Sequence, residues 1–356
     1  MRFSDVFTAR ALAFRLTEDP TNATPFLGEA FFPAKKKMGI DLKWIKAHKD
    51  VDMELAPSTY DALSVIRPRG GFVVQTEEMP LFRESMKVSE KDEAEIMRAL
   101  DSNDPYVQDV INNVYNDVQT LYNGAKVATE RMRMSLLAPV NGYLKITIGN
   151  KDNTIYNYNY DSDGAWAATN YASLIDNAQW DHAATAKPLN DIQTGADVLS
   201  SKGYAPKYIL MNTVTLNTLV GCDQIKNALI SITGRVIDYL DKATAIEVIQ
   251  RKTNLTPIIY DKKYKNYSGV SQKYFPDYYV SIIGEENLGS TWYGVTPEER
   301  TLMGDSKVDV SILDSGIAVA IQNQYGPPVR HDTTVSQIAL PSFEGMDALY
   351  GIKVKQ

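Results

Sequence analysis

The sequence has few residues that bind metals or act as nucleophiles. It contains one cysteine, Cys222, which excludes an intrachain disulfide and a zinc site built from cysteines. The three histidines, His48, His182 and His331, are far apart along the chain. A metal site needs several donors close together, so we predict no metal ligands. Cys222 follows an apolar stretch, and we interpret it as a small buried residue.

Long apolar runs and strong basic clusters are also missing. No segment approaches the roughly 20 apolar residues of a membrane-spanning helix. The first residues lack the apolar core of a signal peptide, so we expect folding in a cytoplasm and no membrane contact. The net charge is −7, and the longest basic run is Lys35–Lys37, which we interpret as a solvated turn. Binding to a phosphate backbone needs clustered cations, so we expect no sequence-specific binding of DNA.

The usual catalytic motifs are absent too. Asp181 and His182 superficially resemble a base with its orienting acid, but no nucleophile motif accompanies them. Residues 233–235 lack the lysine that ends a phosphate-binding loop. Three pairs of adjacent carboxylates, which should point apart and be solvated, are Glu77–Glu78, Glu285–Glu286 and Glu298–Glu299. We therefore predict no catalytic, cofactor-binding or metal-binding residue, and no enzyme.

The composition is that of a folded globular protein, with 44% hydrophobic and 23% charged residues. Its first 50 residues nevertheless resemble an arm, because prolines interrupt them and only 39–45, which includes Trp44, alternates like a strand. Such a segment must lie on its own body or on a neighbour. Residues 51–90 predict two extended segments joined by a turn at 67–71, where proline and paired glycines allow a tight reversal. A hairpin of this kind needs a partner surface.

An unusually long helix follows. Asp104 and Pro105 form a helix start, and apolar residues recur at helical spacing from Val107 to Met132. The helix should end before Ala138, which precedes a proline, and should measure about 45–50 Å. A hairpin is predicted next, with Leu144, Ile146 and Ile148 on one strand and Tyr156, Tyr158 and Tyr160 on the other.

From about residue 191 the pattern changes to short helices and strands. Helices are predicted over 192–201, ending at Gly203, and over 244–253. Strands are predicted over 208–211, 257–260, 278–283, 317–321 and 333–339. Together these indicate a compact α+β unit.

Several blocks of sequence, taken in order, are similar to a known family. These blocks are 31–33 with Lys37 and 39–45, then 55–57 with 65–71, then 274–277 with 288–298, and finally 339–343. They resemble the phage lambda major head protein family (major capsid protein E). The resemblance implies the α+β fold of tailed-phage major capsid proteins. Its parts would be an N-terminal arm (1–50), an E-loop hairpin (51–90), a peripheral domain (91–185) with a spine helix at about 105–137, an axial domain (186–325) and C-terminal return strands (326–356).

The same resemblance implies a structural function. Copies would assemble, as hexamers and pentamers, into the icosahedral shell that encloses phage double-stranded DNA, in the virion and after assembly in the host bacterial cytoplasm. The expected partners are copies of the chain, a separate scaffolding protein, a portal and a decoration protein, with no protease-removed delta-domain. The candidate inter-subunit contacts are Arg67, Arg69, Gly70, Gly71 and Trp44.

Three alternatives remain open from the sequence. An encapsulin-type compartment would share the fold and carry a cargo-peptide pocket. An oligomeric enzyme would need an active site that the sequence does not reveal. A phage tail-tube protein would be smaller and all-β, and the long helix argues against it.

Overall fold

A computed structural model of the chain describes residues 8, 9, 14, 16, 26–45, 74–88, 91, 93–94, 106–149, 155–233, 241–301, 308–313, 316–324 and 330–356. Contacts group the chain into two compact units, each made of three segments. The first unit comprises Met1–Leu42, Thr76–Arg133 and Ser290–Ser342; the second unit comprises Lys43–Gln75, Met134–Gly289 and Phe343–Gln356. This grouping does not test the five consecutive parts expected from the sequence, and they stay a prediction.

The described residues form helices and strands throughout. The helices are α1 Leu27–Phe31, α2 Tyr106–Leu137, α3 Ala165–Asn170, α4 Pro188–Ser201, α5 Thr213–Gly221, α6 Asp223–Thr233, α7 Lys242–Thr253 and α8 Pro297–Thr301. The strands are β1 Ala34–Lys36, β2 Asp41–Ile45, β3 Val74–Glu78, β4 Leu81–Val88, β5 Lys145–Gly149, β6 Ile155–Asn159, β7 Tyr171–Ser173, β8 Tyr208–Met211, β9 Thr256–Ile259, β10 Lys263–Lys265, β11 Ser271–Lys273, β12 Tyr279–Ile283, β13 Ser290–Gly294, β14 Val308–Leu313, β15 Ile317–Gln324, β16 Arg330–Ser342 and β17 Leu349–Lys353.

Helix α2 is the long helix that the periodicity predicts. Its 32 residues begin at Tyr106 and end at Leu137, next to the Ala138–Pro139 stop. Five apolar side chains at helical spacing are buried: Val118, Leu121, Tyr122, Ala125 and Met132. Asn116 and Asn123, on the opposite face, are exposed. As far as Gly124, one apolar stripe therefore faces the protein interior while the other face meets solvent; from Ala125 to Leu137 no residue is exposed.

The sheet of the first unit is built around one long strand. Along one edge β16 pairs with β15, for example Gln337 with Ile317, in antiparallel register. Its other edge is shared by β4, which pairs over 331–338, and by β13, which pairs over 338–342. The order is β1-β13-β16-β15-β14 with β4 also on β16. This arrangement places segments from three distant parts of the chain side by side.

A second sheet, of order β7-β17-β12-β8-β9, forms the core of the second unit. All five residues of its central strand β12 are buried. Helix α4 packs against β17 at Gly195, where a Cβ atom would come within 2.6 Å of Tyr350 and 2.7 Å of Ile282. Glycine at this position therefore lets the helix backbone approach the sheet closely.

Other elements of the second unit agree with the sequence. The predicted hairpin is present as β5 and β6, which pair Ile146 with Tyr158 and Ile148 with Tyr156. Helix α4 ends before Gly203, which has a left-handed φ of 83°, as expected of a C-terminal glycine. The predicted turn at 67–71, the helix start at 104–105 and the hairpin turn at 150–153 lie outside the described residues.

Two expectations about local structure were wrong or incomplete. Lys35 and Lys36 lie in β1, a strand parallel to β13, and not in a turn. The sequence analysis also did not predict α5 and α6. Among the described residues, no helix has both the length and the apolar character needed to cross a bilayer.

Candidate functional site

The segment that carries α1 and β1 is fixed onto the first unit of its own chain. Phe31 and Phe32 are buried, and β1 lies parallel to β13 with Ala34 opposite Thr291. The amide of Thr291 donates to Pro33 O (2.9 Å), and the amide of Lys37 donates to Tyr293 O (2.8 Å). At least 26–37 of the expected arm therefore lies on its own body, which was one of the two possibilities open from the sequence.

A buried ion pair on α2 holds this segment. Glu130 and Arg133 are one helical turn apart, both side chains are buried, and Arg133 Nη1 lies 3.7 Å from Glu130 Oε2. Glu130 Oε1 accepts a hydrogen bond from the amide of Gly28 (3.0 Å). Arg133 Nε donates to the hydroxyl of Thr291 (2.8 Å), which in turn donates to Phe32 O (2.9 Å). We call these five residues the arm lock.

Tyr293 contacts the arm lock through Arg133. Arg133 Nη2 donates to the hydroxyl oxygen of Tyr293 at 3.4 Å. Burial raises the pKa of Tyr293, and the nearby guanidinium partly opposes this change. Because both charged side chains are buried, with Glu130 bound to a backbone amide and Arg133 to side-chain hydroxyls, the cluster fixes the position of the chain. A buried ion pair is weak evidence for stability, but it favours a single arrangement of the chain around it.

The expected E-loop leaves and returns at neighbouring strands. Strands β2 and β3 pair with each other, and the amide of Met79 donates to Ile40 O at 2.8 Å. The two strands that flank residues 46–73 are therefore adjacent, as a hairpin-like extension of the chain requires. Four of the predicted contact residues, Arg67, Arg69, Gly70 and Gly71, belong to this stretch and lie outside the described residues.

The fifth predicted contact residue, Trp44, packs inward. Its side chain is 4% exposed, and its ring centroid lies 5.4 Å from that of Tyr160, tilted by 32°. Its indole Nε1 finds no hydrogen-bond partner among the residues that the structure describes. Trp44 therefore anchors the end of β2 in the single chain, and its role between subunits stays a prediction.

A polar depression of about 430 Å³ lies on the sheet of the first unit. Its lining residues come from β4, β15, β16 and α8, and include Arg83, Ser85, Glu298, Gln322, Asp332 and Thr334. Arg83 Nη2 lies 2.6 Å from Glu298 Oε1, and the hydroxyl of Ser336 donates to Glu298 Oε2 at 2.7 Å. The charges of Arg83 and Glu298 therefore neutralise each other.

The interpretation of Glu298 and Glu299 as solvated carboxylates was wrong. Their side chains are only 14% and 13% exposed, and each is ion-paired. Glu299 Oε1 lies 2.5 Å from Lys36 Nζ, so the basic run on β1 has a carboxylate partner. The short helix α8 therefore connects β1 and β4 through two separate ion pairs within the first unit.

The residues that most resemble catalytic groups are structural. His182 is 51% exposed and its Nε2 lies 4.0 Å from Asp181 Oδ1; a hydrogen bond from Lys355 keeps the pKa of Asp181 below its usual value. Buried Cys222 donates through Sγ to Trp180 O (3.2 Å), and burial raises its pKa to about 11. The expected surface histidine and buried cysteine are confirmed. Within the described ranges, no three His, Cys, Asp or Glu side chains are placed to hold a metal ion.

Comparisons with known proteins agree with this structural character. A family model described as phage major capsid protein E matches residues 8–312. Among solved structures, a phage-related protein from Bordetella bronchiseptica RB50 is 12% identical, with 98% of this chain and 97% of that chain covered and a TM-score of 0.57. A protein described as a prophage capsid protein of E. coli CFT073 is 14% identical, with 98% and 99% covered and a TM-score of 0.61.

A third similar structure is the capsid of cyanophage A-1(L), at 11% identity, 92% coverage of both chains and a TM-score of 0.51. Identities this low show a shared fold, and the predicted α+β capsid fold is confirmed. A search of curated proteins found no match.

Proposed function

Because the chain belongs to the phage major capsid protein E family, a family of structural shell proteins that are not enzymes, we propose that its copies close into an icosahedral head around double-stranded DNA. The family match over residues 8–312 is the observation that carries this proposal. It gives no support to the encapsulin-type compartment or to the oligomeric enzyme.

The described contacts suggest how one subunit is prepared for assembly. The arm lock fixes 26–37 on the body, and β2 with β3 fixes both ends of the 46–73 loop. Within the proposal, the loop that starts and ends at these paired strands lies across a neighbouring copy. Many modest contacts of this kind, repeated around a closed shell, add up to a stable assembly.

Within this proposal, the loop contacts neighbours through Arg67, Arg69, Gly70 and Gly71. The two arginines would meet carboxylates of the next copy, such as Glu84, which is exposed on β4. Pairs of this kind set register and partner choice more than affinity. Trp44, packed on Tyr160, would hold the first end of the loop in place.

The proposed partners are other copies in hexamers and pentamers, a separate scaffolding protein, a portal and a decoration protein. The chain is a virion component by its family, and assembly in the host cytoplasm is part of the proposal. The net charge of −7 supports a shell wall that encloses DNA without binding a particular sequence, because like charges repel.

Deletion of residues 67–71 tests the proposal. Wild-type chain should elute from size-exclusion chromatography as megadalton particles that negative-stain microscopy shows as shells. The deletion variant should give soluble, folded subunits that do not close. Arg67→Lys with Arg69→Lys is the matched control and should retain shells, because it keeps both charges. Normal shells from the deletion variant would count against the loop, and a small wild-type oligomer would count against the shell itself.

A further inference from the structure

One hairpin of the second unit has a composition unlike the rest of the chain. Residues 262–273 include four lysines and no acidic residue: Lys262, Lys263, Lys265 and Lys273. Since the whole chain carries −7, all other residues together carry −11. The hairpin formed by β10 and β11 is therefore a local positive charge on an acidic protein.

The turn of this hairpin is ordered by its own hydrogen bonds. The amide of Asn266 donates to Val270 O (3.0 Å), and the amide of Gly269 donates to Asn266 O (2.8 Å). The side-chain Oδ1 of Asn266 accepts from the amides of Ser268 (3.0 Å) and Val270 (2.9 Å). Gly269 has a φ of 76°, which glycine adopts without strain. A turn fixed in advance loses little entropy when a partner binds.

Tyrosines attach the hairpin to the core of the second unit. The ring of Tyr264 lies 4.8 Å from that of Tyr274, and Tyr274 lies 6.1 Å from Tyr260. Tyr260 and Tyr274 are buried. The hydroxyl of Tyr264 also donates across the hairpin to Gln272 Oε1 (2.9 Å). The packed tyrosines therefore hold the hairpin in place on the core of the second unit.

Its tip presents apolar surface to solvent. Tyr267 is 58% exposed and Val270 is 56% exposed. Tyrosine is enriched at the centres of protein interfaces because it combines a large apolar area with a hydrogen-bonding hydroxyl. On a fixed turn, Tyr267 and the apolar side chain of Val270 form a small preformed contact surface.

The lysines on the strands are incompletely neutralised. Lys263 lies directly opposite Lys273 in the antiparallel register, and like charges in this position destabilise a strand pair. Asp277 neutralises Lys273 at 2.6 Å. Lys263 and Lys265 are exposed, and no carboxylate of the described part of the chain lies within 4 Å of either. An acidic partner could therefore pair with Lys263 and Lys265.

We propose that the β10–β11 hairpin binds an acidic surface of a second copy of this chain, with Tyr267 and Val270 at the centre of the contact and Lys263 and Lys265 at its rim. The −11 charge of the other residues makes a second copy electrostatically complementary. A DNA backbone would pair with the lysines but would leave the apolar tip exposed. This inference rests on the proposed assembly of copies into a shell.

The test compares two double variants of the purified chain by light scattering and negative-stain microscopy. Tyr267→Ser with Val270→Ser should slow assembly about tenfold or more. Truncating an anchor side chain of an interface weakens binding by a factor of about this size or larger. Lys263→Gln with Lys265→Gln should slow assembly at low salt and reduce its dependence on salt. Melting temperatures of the subunits should stay unchanged, because all four side chains are exposed.

Matched controls separate the contact from general effects. Tyr267→Phe keeps the ring and should assemble like the wild type. Lys187→Gln with Lys252→Gln removes two exposed lysines elsewhere in the second unit and should have little effect. An equal loss in this control would overturn the proposal, since net charge alone would then explain it.

Two further results would also overturn the proposal. Hairpin variants that assemble at the wild-type rate but no longer bind a short DNA duplex in fluorescence anisotropy would show that DNA is the partner. Shells formed equally well by wild type and variants would refute the hairpin contact alone. Wild-type chain that forms neither shells nor capsomere-sized oligomers at any concentration would refute both the hairpin contact and the proposed function.

Discussion

The backbone amide of Gly28 donates a 3.0 Å hydrogen bond to the carboxylate of Glu130, a residue 102 positions later in the chain. The contact leaves no room for a side chain at position 28. A Cβ atom there would lie 2.6 Å from Glu130 Oε2 and 2.8 Å from the Cβ atom of Arg133. Glycine is required here because the backbone of α1 lies directly against the side chains of Glu130 and Arg133 on α2. An unusual backbone angle is not the reason.

The first prediction concerns this close approach. Gly28→Ala should lower the free energy of unfolding by about 1–3 kcal/mol, because the added methyl group pushes α1 away from Glu130 and Arg133. Gly124→Ala is the control, since a Cβ at this position on α2 meets nothing within 4 Å. It should raise stability by about 0.5–1 kcal/mol. Urea unfolding of unassembled chain measures both, and equal effects would contradict the packing argument.

The second prediction concerns the buried charges. Arg133→Met leaves the Glu130 carboxylate buried without its partner and should cost about 3–5 kcal/mol. Adding Glu130→Gln removes the stranded charge, so the double variant should recover part of the loss. A double-mutant cycle from denaturant unfolding measures this coupling. Strictly additive effects would show that the pair does not interact.

The third prediction concerns the reactivity of Cys222. A pKa of about 11 leaves about one thiol in a thousand ionised at pH 8. Ellman's reagent should therefore react slowly with the folded chain at pH 8 and rapidly after unfolding in urea. Rapid reaction of the folded protein would contradict the burial of this side chain.

The same thiol predicts a dependence of stability on pH. Its folded pKa of about 11 lies above the reference value of 9.0, so the folded state keeps a proton that the unfolded state loses. The stabilisation is complete below pH 9 and is lost as the pH rises through 11, by about 3 kcal/mol. Cys222→Ala should flatten unfolding free energies between pH 9 and 11. If Cys222→Ala left the slope of unfolding free energy against pH unchanged, the pH dependence would come from the buried tyrosines instead.

The fourth prediction concerns the continuity of α2. Val114→Pro removes one backbone hydrogen bond and brings the proline ring against the preceding turn, which costs about 3 kcal/mol or more. The variant should fail to fold or should melt at a much lower temperature by circular dichroism. Val114→Ala, which keeps the helical backbone, is the control. An unchanged melting profile for the proline variant would contradict the helix.

Local sequence patterns predicted those helices and strands in which the spacing of apolar residues matches the spacing of buried positions. Strand β8 is the predicted 208–211, because a run of four apolar residues between polar ones is consistent with a short buried strand. Helix α2 follows from one apolar stripe between a proline start and a proline stop. The family resemblance, which rests on blocks in order along the chain, supplied the fold class.

The rest depended on contacts that local patterns do not contain. Helix α5 has the sequence TVTLNTLVG, and its β-branched residues favour strands. The available signal was Asn212, which caps the helix by accepting from the amide of Thr215 (2.9 Å). The ion pairs of Glu298 and Glu299 with Arg83 and Lys36 join residues more than 200 positions apart, which no short motif indicates.

Strand β16 is synthesised late, and the sheet of the first unit depends on it. Its residues 331–338 pair with β4 at 81–88, about 250 positions earlier, and the same strand also holds β13 and β15. While the ribosome is still making residues 330–342, the earlier strands lack their common neighbour, and closing so long a loop is slow. The sheet of the first unit can therefore be completed only after translation has passed this strand.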